Sequence, residues 1–249
     1  MSSPMKISVD SRWGEPFATP SLPAAVVVAR LSSSRLPGKV LRPVDGRPLL
    51  GYTLERLHHC PDVGDIVVAT SVESSDDPLA EFCAEAGISC YRGSLNDVAG
   101  RFVEAAQSVG ASWAFRANGD SPLLGVDLFA RAWEACVADS GLDLVTNVFP
   151  RQLPPGASVE LIRVAALAGA RHGMDDADRE HVTLHLYRHW ERFRIRQIDC
   201  SDLLFSDGLR LVVDDSEDLD RMVRLVDRLD CPIWRYSTQE LLDLVATVQ

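Results

Sequence analysis

No apolar run in this 249-residue chain approaches the ~20 residues needed to span a bilayer, "AAVVVA" at 24–29 being among the longest. No crossing of a membrane and no membrane partner are expected. The opening "MSSPMKISVDSRWGEPFATPSLP" holds charges and prolines where a signal peptide would hold an apolar stretch, so residues 1–23 read as a flexible leader and the protein as cytoplasmic. There is no CxxC pair among Cys60, Cys83, Cys90, Cys136, Cys200 and Cys231, which argues against structural zinc and against a disulfide framework. Positive charge is in deficit: 25 Lys and Arg against 36 Asp and Glu leave a net charge of -11. That balance repels polyanions, so no nucleic acid partner is expected, and any anion the protein binds must be held locally. Lysine is nearly missing, with only Lys6 and Lys39 among 25 basic residues.

Hydrophobic residues at 46% and charged residues at 24% suit a soluble globular chain long enough for a sizeable core. Short apolar runs alternate with amphipathic stretches. "AAVVVA", "DIVVAT" (65–70), "ISCY" (88–91), "SWAFRA" (112–117) and "DLVTNV" (143–148) predict strands. Between them, "PLLGYTLERLHHC", "PLAEFCAEAG", "DVAGRFVEAAQSVG" and "VDLFARAWEACVADSG" carry apolar residues at helical spacing. Further on, "FRIRQIDC" and "LRLVVD" predict strands, and "SEDLDRMVRLVDRLD" and "STQELLDLVATV" closing helices. This alternation implies an α/β three-layer sandwich with a mainly parallel mixed sheet. One domain over 24–249 is expected, with an irregular excursion at about 149–200 where "PRQLPPGASVELIR" breaks the pattern.

In such sheets ligands collect at the carboxyl ends of the strands. Directly behind the first predicted strand lies "RLSSSRLPGKVL" (30–41), a basic loop of small residues in an acidic protein. Its backbone N–H groups can form an anion nest, completed by Arg30, Arg35 and Lys39. It lacks the GxxxxGK[ST] pattern of a P-loop, and a solvated basic loop is an equal reading of the same residues. "NGDSPLL" places Asp120 just past a strand, and "LRLVVDD" places Asp214 and Asp215 before a helix. Two hard oxygen ligands from separate strand ends suit Mg²⁺ held with substrate phosphates. Asp120 as a turn residue and Asp215 as a helix cap are the alternatives. Asp97 is expected to cap a helix, and Arg116 and Asn118 either line the crevice or pair with an acid.

The run "ARLSSSRLPGKVL", followed in order by "DIVVATS", "DDPLAEFC", "YRGSLNDVAGRF", "RANGDSPLL", "DREHVT" and "LVVDDSEDL", closely resembles a family of nucleotidyltransferases. These are the cytidylyltransferases related to CMP-sugar-acid synthetases, in their SpsF-like, spore-coat polysaccharide branch. The likeness covers residues 24 to about 219. It implies a nucleotide-diphospho-sugar transferase-like fold, a homodimer, and use of CTP with Mg²⁺ or Mn²⁺. It implies that Arg30, Arg35 and Lys39 hold the triphosphate with main-chain help from Ser33 and Ser34, and that Asp120 and Asp214 hold the metal. Arg92, Ser94 and Asn96 would line the nucleotide site. Glu160, Arg179 and His181 would meet a small anionic acceptor, with Arg151 a weaker candidate.

The implied reaction is attack of an acceptor oxygen on the α-phosphorus of CTP with loss of pyrophosphate, in which Lys39, Arg35, Asp120 and Asp214 carry the catalysis. The competing readings are a metal-dependent glycosyltransferase, for which no clear DxD is present, and a non-catalytic nucleotide-binding protein.

Overall fold

The computed structural model describes residues 21–248. Residues 1–20 of the expected leader lie outside the described residues. Among the described residues nine strands and nine α-helices follow in order: β1 (Ala24–Val28), β2 (Pro43–Val44), β3 (Arg47–Pro48), α1 (Leu49–His58), β4 (Ile66–Ser71), α2 (Asp77–Glu85), β5 (Ser89–Gly93), α3 (Val98–Ser108), β6 (Trp113–Asn118), α4 (Asp127–Ala138), β7 (Leu144–Thr146), β8 (Glu160–Arg163), α5 (Val164–Ala170), α6 (Asp176–Glu180), α7 (Leu184–Arg188), β9 (Ile195–Gln197), α8 (Ser216–Val226) and α9 (Thr238–Ala246). Seven strands form one sheet in the order β5-β4-β1-β6-β8-β7-β9. Only β8 runs against its neighbours, pairing antiparallel with both β6 and β7.

The central strands are buried on both faces, and successive side chains feed opposite layers. On β1, Ala25 and Val27 join a core with α1, α2, α4, α8 and α9, represented by Leu50, Leu79, Phe129, Met222 and Leu242. Val26 points the other way, into a second core with Phe102 and Ala106 of α3 and Leu167 of α5. Helices therefore cover both faces of a mixed sheet, as the alternation in the sequence implies.

Connectivity places the crevice. From β1 the chain runs outward through β4 to β5, then returns so that β6 pairs with β1 on its other side. The loops leaving β1 and β6 thus diverge at a switch in strand order, where an open sheet leaves room for a ligand.

Two expectations need amendment. "LRLVVD" is not a strand: residues 209–214 are irregular, although Leu209, Leu211 and Val213 are buried in alternation. Their hydrogen bonds go to loops, with Leu211 N donating to Pro155 O (2.7 Å) and Val213 N to Asp120 O (2.9 Å). A period of two reports an extended, half-buried chain, and a ladder forms only where a neighbouring strand is present. The stretch 149–200 also contributes more than an excursion, since it supplies β8 and β9 to the main sheet.

Candidate active site

The loop after β1 is tied down at its start. Buried Asp76 accepts the Leu31 N–H (2.7 Å) on one oxygen and the Ser71 N–H (3.2 Å) and hydroxyl on the other. The loop then turns back, with Ser33 N and Gly38 N both donating to Leu31 O at 2.9 Å. Gly38 takes a left-handed φ of 71°, which a side chain disfavours, and launches a 3-10 turn over Lys39–Leu41. Lys39 is thereby directed inward and is 8% exposed.

The Lys39 ammonium joins the two aspartates singled out in the sequence. Its Nζ lies 2.6 Å from Asp120 Oδ2 and 2.9 Å from Asp214 Oδ1. Asp120 reaches this point because Gly119 passes close over β1: a Cβ there would lie 2.8 Å from that of Ala29. Asp214 also meets Arg35 (3.1 Å) and Arg210 (2.8 Å). Burial opposes its charge, but the Lys39 hydrogen bond and the three surrounding cations hold its carboxyl below the usual aspartate range. Neighbouring Asp215 caps α8 by accepting the Asp218 N–H at 3.0 Å.

Two cavities open on this cluster. One, of about 570 Å³, is lined by Arg30, Ser32, Ser33, Ser34, Arg35 and Lys39 of the loop together with Arg101 of α3. The other, of about 530 Å³, is lined by Ser121, Arg151, Gly156, Ser158, Glu160 and Tyr187. Arg116, Asn118, Asp120, His181 and Asp214 border both. A basic chamber and a more neutral one therefore meet at two carboxylates.

The sequence model of the family described as "Cytidylyltransferase" matches residues 24–229. The chain belongs to the cytidylyltransferase family. It is a CTP-dependent nucleotidyltransferase. It is 29% identical over 209 residues to the spore coat polysaccharide biosynthesis protein SpsF of Bacillus subtilis, across 82% of this chain and 85% of that one. It is 29% identical over 127 residues to a 3-deoxy-manno-octulosonate cytidylyltransferase of Chlorobium chlorochromatii, about half of each chain. A cytidylyltransferase structure from Leptospira borgpetersenii superposes with a TM-score of 0.81 at 25% identity, over 91% of this chain and 94% of that one.

In this cytidylyltransferase, Arg30, Ser33, Ser34, Arg35, Lys39, Asp120 and Asp214 converge on one chamber. Arg92, Ser94 and Asn96 do not line it. Arg92 instead braces the loop after β4, donating to Ser71 O (2.9 Å) and Glu73 O (3.0 Å) and pairing with Asp77 (2.7 Å). Ser94 Oγ accepts the Asp97 N–H at 3.1 Å, Asn96 is exposed, and Asp97 caps α3 through the Gly100 N–H at 2.8 Å. Arg179 pairs with that same Asp97 at 3.1 Å and borders neither cavity, whereas His181, two residues on, borders both.

Glu160 lies on the wall of the second cavity, 3% exposed, with both oxygens engaged. Oε2 accepts from Arg116 Nη1 (2.5 Å), and Oε1 from Thr183 Oγ1 (2.7 Å) and Tyr187 OH (2.6 Å). Burial alone would raise its pKa. Arg116 and the two hydroxyls reverse this and hold the carboxyl below the usual glutamate range.

Two arginines escaped the sequence reading. Arg210 joins Asp214 because residues 209–214 are extended by tertiary contacts. Arg101 is 1% exposed on α3; its Nη1 is bonded to Ser94 O and Leu95 O, and its Nε and Nη2 lack partners among the described residues. Its signal was an arginine on the apolar face of "VAGRFVEAA", a cation that burial would penalise unless it met a ligand or backbone carbonyls.

Proposed function

We propose that this enzyme transfers the cytidylyl group of CTP to a small anionic acceptor, a sugar acid in the first instance, releasing pyrophosphate. The observation that carries the reading is the pair of cavities sharing Asp120 and Asp214, one walled by the cations of the loop after β1. The triphosphate lies in the basic chamber, where Arg30, Arg35 and Lys39 neutralise the departing pyrophosphate. The acceptor lies in the second, with Arg116 and His181 at the boundary. The octulosonate cytidylyltransferase relative supports a sugar acid, and the SpsF relative supports a place in polysaccharide biosynthesis. A phosphate or phosphonate acceptor has the same charge chemistry.

Asp120 and Asp214 fit a divalent cation, Mg²⁺ or Mn²⁺. Their oxygens already converge on a single cation, the Lys39 ammonium, and both are hard donors. Among the described residues no group of three or more His, Cys, Asp or Glu forms a metal site, so substrate phosphates would complete the set. When bound, the metal supplies Lewis-acid polarisation of phosphate oxygens. The protein does the positioning: the arginines fix the leaving group, and Glu160 fixes Arg116 beside the reacting centre. Holding both reactants in line accounts for much of the rate, because little covalent chemistry falls to side chains.

No helix among the described residues is long and apolar enough to cross a membrane. From the family resemblance we infer a cytoplasmic setting and a homodimer. The test is a screen of four nucleoside triphosphates against sugar acids, phosphonates and neutral sugars, read as pyrophosphate release. Release with CTP and an anionic acceptor supports the reading; release only with neutral acceptors, or a nucleotide-sugar as donor, would overturn it.

A further inference from the structure

We propose that Lys39 acts as a built-in counter-ion that keeps a divalent cation off Asp120 and Asp214 until a triphosphate draws the ammonium away, so that metal and CTP bind as a coupled pair. The inference rests on the reading of these aspartates as the metal's carboxylates. It concerns what occupies them before substrate arrives. The Nζ atom bridges the two carboxylates at 2.6 and 2.9 Å, through Oδ2 of Asp120 and Oδ1 of Asp214. Both oxygens of Asp214 are engaged, Oδ2 by Arg210 (2.8 Å) and Oδ1 by Lys39, so a hard cation held by the two side chains competes with the ammonium for Asp214. The lysine is also placed with little freedom, since its side chain is 10% exposed and its backbone follows the left-handed turn at Gly38.

Charge explains why the ammonium yields only to the nucleotide. Arg35 and Arg210 already face Asp214, and Arg210 also reaches Asp218 (3.6 Å), which Arg221 pairs at 2.8 Å, so with Lys39 in place four cations stand against three carboxylates. A free divalent ion arriving there meets net positive charge. A triphosphate in the adjoining chamber reverses that balance, and it gives Lys39 new oxygens on the wall that the lysine itself lines. Metal and CTP should then each raise the other's affinity, as linkage requires. Lysine suits this task better than arginine because its charge is compact and its donors rotate, and this is the one lysine among the described residues.

The test uses the full chain and Mn²⁺ as the probe, read as protein-bound ion by electron paramagnetic resonance, with no turnover involved. Without nucleotide, Lys39→Gln should bind Mn²⁺ at least about tenfold more tightly than the wild type, the effect of removing one nearby positive charge. Lys39→Arg, which keeps the charge, should stay as weak as the wild type. Adding CTP should load the wild type at Mn²⁺ concentrations that leave it empty alone. Placing Asp214→Asn in the Lys39→Gln background should abolish the gain. Equal Mn²⁺ affinity in wild type and Lys39→Gln, or a gain that survives Asp214→Asn, would overturn the counter-ion role while leaving CTP use intact. Failure of every form to bind Mn²⁺ even with CTP bound would instead overturn the metal assignment, and this proposal with it.

Discussion

Glu160 shows how one side chain changes meaning between sequence and structure. In the sequence it is an acid placed to meet an acceptor; in the fold its oxygens are used to hold Arg116, Thr183 and Tyr187. Glu160→Gln keeps the shape but removes the charge opposite Arg116, and should cost about 1–3 kcal/mol in urea unfolding, the penalty of a disrupted buried network. Because the native carboxyl titrates below its unfolded value, the stability it contributes is present above about pH 4.3 and is lost as pH falls through the lower native pKa. The wild-type advantage over Glu160→Gln should therefore be constant from pH 6 to 8 and shrink toward pH 3. Steady-state kinetics should show the variant losing acceptor kcat/KM more than CTP affinity, with some loss of both because Arg116 borders both cavities. Asp120→Asn and Asp214→Asn should behave differently, reducing turnover by on the order of 100-fold or more while circular dichroism stays native, if these groups act at the reacting centre as proposed.

At the scale of elements, the segment 209–214 matters most, since it carries both Asp214 and Arg210 without belonging to the sheet. It is held against the 154–156 turn, where Gly156 has φ of 99° and a Cβ would collide with the Leu211 backbone. Gly156→Ala should thus cost about 1–3 kcal/mol in strain. Its larger effect should be on kcat, as Leu211 and the segment behind it are pushed from Asp120. A thermal melt beside a rate measurement separates the two; a destabilised variant with native kcat would show that the segment need not be held so closely. Helices α1 to α4, by contrast, follow from local sequence, since apolar spacing and Pro78 mark them before any tertiary contact is known.

For the whole molecule, the question is how a protein of net charge -11 binds a polyanion. The answer is segregation: Arg30, Arg35, Lys39, Arg101 and Arg116 border one chamber, while most acidic residues lie elsewhere. CTP should raise the melting temperature, with 100-fold excess over Kd contributing about 2.7 kcal/mol, or roughly 2–4 °C per kcal/mol for a chain of this size. UTP, ATP and GTP should give smaller shifts at the same concentration. Equal shifts for all four would mean that the chamber reads phosphate alone. Raising salt should weaken the CTP effect, because the attraction is partly screened.

The layers could be read from the chain alone, and so could the basic character of the loop after β1, whereas its proposed role as a phosphate cradle came from the family resemblance. Strand and helix periods are local properties of the chain, and "RLSSSRLPGK" gathers its cations within ten residues. Asp120 and Asp214 were each ambiguous in the sequence, as a turn residue or a strand-end acid, and were singled out as a pair by the order of the family's motifs. Which partners those residues meet was set by the packing of segments far apart in the chain. Asp97 draws Arg179 away from the acceptor side, Glu160 is turned inward onto Arg116, and Arg101 and Arg210 enter from a helix face and an irregular segment. Apart from Arg101, which bonds backbone carbonyls, each of these outcomes depends on which of several opposite charges comes within about 4 Å, the range over which pairing at a partly buried site is strong. That distance is set by strand order and loop crossing between residues far apart in the chain, and neither composition nor period encodes it.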